Sequence, residues 1–106
     1  MKQIAWIISP PAKGSGGFRT ICSKASFLDS RGYENYFYIM PGCEAYKSAH
    51  RVQTEIKDWF GYSPKEVLVA PSVPEDFFAV IATAWNTAHF ASMQKCTHKF
   101  YFIQDF

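Results

Sequence analysis

Residues Ile4 to Phe18 read IAWIISPPAKGSGGF, and this stretch decides the fold. Ile4-Ala5-Trp6-Ile7-Ile8 is an unbroken apolar run, which fits a strand covered on both faces, as in parallel sheets. Ser9-Pro10-Pro11 ends it, because proline has no amide hydrogen to give to a ladder. A loop from Pro10 to Gly17 follows. Phe18, Ile21, Cys22, Ala25 and Leu28 then recur at helical spacing. Arg31-Gly32 predicts a basic last turn and a stop.

Outward from this unit the chain keeps alternating. Tyr33 to Met40 predicts an aromatic strand closed by Pro41-Gly42. Ala45, Ala49, Val52, Ile56, Trp59 and Phe60 mark a second amphipathic helix, with Glu44 near its positive end and Gly61 after its last turn. Ser63-Pro64 turns the chain into a short third strand, Val67-Leu68-Val69. Phe78 to Ala82 predicts a fourth strand after the Pro71–Pro74 loop. Thr83 stands where it can cap a third helix, Ala84 to about Met93. Lys99 to Ile103 predicts a fifth strand. This order predicts an α/β fold: a Rossmann-like parallel sheet of about five strands with helices on both faces. Residues 1–106 form one domain.

In a doubly wound sheet the order reverses beside the first strand, so the first and fourth strands become neighbours. Ligands enter the crevice at their carboxyl ends. Lys13, Gly16, Arg19, Thr83, Trp85, Asn86, Thr87 and Asp105 are the polar candidates around it. Simpler roles compete: Thr83 as a helix cap, Trp85 as core, His89 as a half-buried helix residue and Asp105 as a solvated end.

Composition narrows the function classes. Hydrophobic residues are 48% and charged residues 19% of the 106, which excludes disorder. Aromatics at 18% are rich for a small domain, and predict that some apolar surface belongs to a partner or to chain outside these residues. Eleven basic against nine acidic residues, interspersed, leave a net charge of +2 and no nucleic-acid footprint. Cys22, Cys43 and Cys96 lack CxxC spacing and read as reduced, buried thiols. His50, His89 and His98 are scattered, so no metal site is expected. The Ile4–Ile8 run is too short to span a bilayer, and a cytoplasmic location is expected.

Lys13-Gly14-Ser15-Gly16-Gly17-Phe18-Arg19 carries the strongest chemical signal. Glycines between a strand and a helix let backbone amides approach a ligand, and the helix N-terminus favours an anion. A tight turn of small residues is the simpler alternative. A Walker A loop is disfavoured, because no lysine follows the glycines into the helix. A dinucleotide fingerprint is also weak: Arg19 occupies the third glycine position, and the second strand ends Tyr38-Ile39-Met40-Pro41 without an acid for ribose. Receiver-type phosphorylation needs acids where Ser9 and Ala70 stand.

These residues also resemble a known group. Ile8-Ser9-Pro10-Pro11 with Lys13-Gly14-Ser15-Gly16-Gly17-Phe18-Arg19-Thr20-Ile21, then Ala82-Thr83-Ala84-Trp85-Asn86-Thr87-Ala88, then Lys99-Phe100-Tyr101-Phe102-Ile103-Gln104-Asp105-Phe106, are similar in order to the opening of GT-B glycosyltransferases of family 4. The WsaF-like rhamnosyltransferases of bacterial surface-polysaccharide assembly belong to that group. The resemblance implies the N-terminal, acceptor-side part of an enzyme with two Rossmann-like domains, the second one missing here. Such an enzyme moves a sugar, rhamnose in the WsaF-like members, from a nucleotide-sugar donor to a glycan acceptor. No further cofactor is implied. By the same resemblance Gly14, Gly16 and Gly17 lie near the donor's diphosphate; Ser15, Arg19 and Thr83 join them as binding candidates from their place in the loop and at the crevice. Many members carry a functional histidine at the end of the fifth strand. Gln104-Asp105 stands there instead, which makes Asp105 the catalytic candidate, as a polar contact or a base. The alternative reading is a small non-catalytic nucleotide- or phosphate-binding module of flavodoxin-like shape.

Overall fold

The apolar run Ile4–Ile8 becomes the centre of the sheet. In a computed structural model, which describes residues 2–9, 13–39, 48–69, 72–83, 85–96 and 98–102, it lies in β1 (Lys2–Ile8). The chain continues through α1 (Gly16–Asp29), β2 (Tyr33–Ile39), α2 (Ala49–Phe60), β3 (Glu66–Val69), β4 (Ala79–Ala82), α3 (Trp85–Ser92) and β5 (His98–Tyr101). β1 pairs in parallel with β2 on one side and β4 on the other. β2 pairs with β3 and β4 with β5, also in parallel. The order is therefore β3-β2-β1-β4-β5, the Rossmann-like α/β arrangement. A flavodoxin-like sheet would set the first strand beside the third, so the flavodoxin shape is excluded here.

Alternation along β1 divides the core into two layers. Ile4, Trp6 and Ile8 face α1 and α2, where Phe18, Ile21, Cys22, Ala25, Val52 and Ile56 close over them. Ala5 and Ile7 face the other way, with Val80, Ala82, Ala91 and Cys96. A strand buried on both faces must be apolar at every position, which is why β1 reads as a run and not as an alternation. Each of these large side chains stabilises the fold by about 1.5–3 kcal/mol through burial.

The ends of the helices differ from expectation in two places. α1 ends at Asp29 with Ser30 as its cap and has no basic residue in its last turn. Arg31 lies beyond the helix, its guanidinium 4.9 Å from the Phe27 ring centre. α2 begins at Ala49, because Ser48 is extended and its hydroxyl accepts from the Arg51 amide at 3.2 Å. Ala45 keeps the apolar spacing of the helix, which hid this start; it and Glu44 lie outside the described residues. Gly61 ends α2 in the left-handed conformation, φ 71°, as a glycine after a last turn should. No helix among the described residues is long and apolar enough to cross a membrane.

Candidate functional site

Two loops leave the carboxyl edge of the sheet in opposite directions. The one after β1 leads to α1 on one face, and the one after β4 leads to α3 on the other. Because β1 and β4 are neighbours, the strand order reverses here, and that is where a doubly wound sheet places its ligand crevice. Its floor is tied together. The Thr83 hydroxyl donates to the Ile7 carbonyl at 2.7 Å, linking the end of β4 to the end of β1. The Thr83 amide donates to the Thr87 hydroxyl oxygen at 3.1 Å, linking β4 to α3. Both threonines are buried.

The glycine loop forms one wall. Gly14 sits at φ 84°, a conformation that side chains with a Cβ rarely adopt, so the turn into α1 requires glycine there. Ser15 is the N-cap, and its hydroxyl oxygen accepts from the Phe18 amide at 3.1 Å. Its carbonyl accepts from Arg19 at 3.1 Å. The amides of Gly16 and Gly17 donate to no partner among the described residues. A Cβ added at Gly16 meets no described atom within 4 Å. That turn holds no acidic residue. Open amides, the positive end of a helix fourteen residues long and an exposed Lys13 on the preceding turn suit an anion.

The other sequence candidates separate. Arg19 is exposed, and its guanidinium lies 5.5 Å from the Phe60 ring centre, on the flank of α1 that meets α2. Trp85 and Asn86 are the first two residues of α3. Asp105 and Gln104 lie outside the described residues, as do Pro10 to Ala12 of the loop and Cys43. His89 is exposed on α3, not half-buried. Cys22 is buried under α1, and burial pushes its thiol up to about 12, with Arg19 opposing weakly. A thiol held protonated in this way is no nucleophile at neutral pH. Burial raises Cys96 as well.

Set against protein-family models, curated proteins and solved structures, the chain matches none.

Sequence reasoning named the loop but not the division of labour within it. Ser15 serves the helix, while the two glycines after it keep their amides open. It also missed an aromatic wall on α1. Leu28 continues the core spacing of α1 and Phe27 lies off it, and both line a groove with Phe100 and Phe102. Only the register of β4 with β5 brings those segments together.

Proposed function

We propose that this chain is the N-terminal, acceptor-side Rossmann-like unit of a GT-B glycosyltransferase. The complete enzyme moves a sugar, rhamnose in the enzymes it resembles, from a nucleotide-sugar to a bacterial surface glycan. One observation carries the reading: the Gly16 and Gly17 amides at the start of α1, which donate to no partner among the described residues and stand on the loop side of the β1–β4 pair. Glycosyl transfer builds positive charge on the sugar and negative charge on the departing diphosphate. Fixed amide donors and a helix N-terminus stabilise that leaving group without reorganising. Ser15 aids this by satisfying the Phe18 amide itself, leaving the two glycine amides for the ligand. Lys13 adds charge at the mouth. Thr83 holds the ends of β1 and β4 at fixed spacing beneath it. In this reading a second Rossmann-like domain supplies most donor contacts, and Asp105 is the polar group at the end of the fifth strand.

Titration with uridine or thymidine diphosphate, followed by backbone amide shifts, tests the site. The largest shifts are expected from Ser15 to Phe18, with weak binding. Shifts elsewhere with an unmoved loop overturn it. A second Rossmann-like domain encoded after Phe106 supports the transferase. A stop codon there, with a stable monomer that still binds the diphosphate, reduces the protein to a phosphate-binding module.

A further inference from the structure

The sheet carries an apolar groove beside the last turns of α1. It has a volume of about 350 Å3 and is lined by Trp6, Phe27, Leu28, Ile81, Phe100 and Phe102, with Lys24 on its rim. Its floor belongs to β1 and β4, one wall to α1 and the other to β5. On β5 and just after it, His98, Phe100 and Phe102 point to this face. His98 lies 4.7 Å from Phe78 and 6.3 Å from Phe100, ring to ring, and Phe102 lies 6.1 Å from Trp6. Phe27 and Phe100 are each 54% exposed, so apolar ring surface faces the groove uncovered by the described residues.

The dimensions fit a helix. Neighbouring strands lie about 4.8 Å apart, and packed helices about 8–10 Å apart, so one helix covers two strands. α1 and α2 cover the β1, β2 and β3 side of this face. One helix-width further on, the described helices cover β4 and β5 from the other face only, through α3. The rim is basic. Lys24 borders the groove, Arg31 lies over Phe27 and Lys2 lies 4.5 Å from the Phe78 ring centre. No acidic side chain lines it among the described residues. Asp29 of α1 is engaged elsewhere, by Asn35 and Tyr62.

We infer that this groove docks an amphipathic α-helix with acidic flanks, presented by a partner polypeptide and lying alongside α1. Its apolar stripe fills the space over Trp6, Ile81 and Phe100, and its flanking carboxylates meet Lys24 and Arg31. A second copy of the chain brings the same basic rim and is repelled. A bilayer is flat; it meets Phe27 and Phe100 but not the concave floor. A strand added to the free edge of β5 leaves the groove empty. The inference does not depend on what the glycine loop binds.

The test uses the purified chain and two synthetic helices of about eighteen residues, with leucine along one face and either glutamate or lysine on both flanks. The glutamate peptide is expected to bind saturably, moving the amides of Lys24 to Leu28, Ile81 and Phe100, while the lysine peptide does not. Phe27→Ser should weaken binding by about tenfold or more, as loss of a central aromatic anchor does. Lys24→Glu combined with Arg31→Glu should reverse the preference between the peptides. Equal binding of both peptides, binding of neither, or shifts outside the groove overturn the inference. So does partition onto phosphatidylglycerol vesicles, or sedimentation as a dimer blocked by Phe100→Lys, when the glutamate peptide fails to compete.

Discussion

The indole Nε1 of Trp6 donates to the side-chain oxygen of Asn35 at 2.8 Å, a buried polar bond at the centre of an apolar face. The Asn35 amide nitrogen donates in turn to the Ala25 carbonyl at 3.0 Å and to the Asp29 carboxylate at 2.8 Å. The Tyr62 hydroxyl donates to the other Asp29 oxygen at 2.9 Å. One asparagine thereby joins β1, β2, the last turns of α1 and the segment after α2. A polar group wholly removed from water must be satisfied, and Asn35 is satisfied only when α1 sits where it does. The network fixes the C-terminal end of the helix whose N-terminal end faces the crevice.

Asn35→Ala should therefore lower unfolding stability by about 2–4 kcal/mol, because it leaves the indole nitrogen buried without a partner and removes a donor from the Asp29 carboxylate. Asn35→Asp should also destabilise, since it sets a second carboxylate against Asp29. Tyr62→Phe removes one hydroxyl at the margin and should cost about 1 kcal/mol. Urea denaturation of the three variants checks the order.

The glycine loop should separate stability from binding. Gly14→Ala places a Cβ at φ 84° and should cost about 1 kcal/mol. Ser15→Ala removes the cap and should also cost about 1 kcal/mol. Gly16→Ala meets open space in a helical conformation and should leave stability within about 0.5 kcal/mol. It should nonetheless weaken nucleoside diphosphate binding by about fivefold, the equivalent of one hydrogen bond. Thermal melts paired with amide-shift titration read both effects.

Alkaline pH should unfold the chain earlier than ordinary titration of exposed groups predicts. Burial raises the Cys22 thiol from 9.0 to about 12 and, with the Asp29 contact, raises the Tyr62 phenol above its usual range. Above pH 9 the unfolded chain has lost the Cys22 proton that the folded chain keeps. Its contribution is thus intact below pH 9 and falls between pH 9 and 12. Urea midpoints measured from pH 7 to 11 should decline, and Cys22→Ala should flatten the decline. Iodoacetamide at pH 8 should leave Cys22 unmodified until the chain unfolds.

The chain alone should transfer no sugar. Transfer needs donor and acceptor held in line, and in the proposed enzyme two domains hold them. An assay of the purified chain with nucleotide-sugars and glycan acceptors should show no turnover beyond spontaneous hydrolysis, even where the diphosphate binds. Detectable transfer would contradict the two-domain proposal while leaving the anion site in place.

By itself the sequence determined the class of fold and the location of the loop. An unbroken apolar run of five residues stopped by Ser9-Pro10-Pro11 fits a strand covered on both faces, and glycines between a strand and a helix mark where backbone can approach a ligand. These are local properties, written in spacing and in residue type. Gly61 likewise announced the end of α2. Other features depend on residues far apart in the chain, and only the tertiary structure decided them. Asn35 in an aromatic strand reads as an exposed polar position until Trp6, Ala25 and Asp29 close around it. Arg19 adjoins the glycines in sequence, but one helical turn carries it toward Phe60. Thr83 reads as a helix cap until the pairing of β4 with β1 brings its hydroxyl to the Ile7 carbonyl. Phe27 stands off the apolar stripe of α1, and only the fold sets it beside Phe100 and Phe102 in a groove. Spacing records which face of an element is apolar; what that face meets is set by the order of the strands.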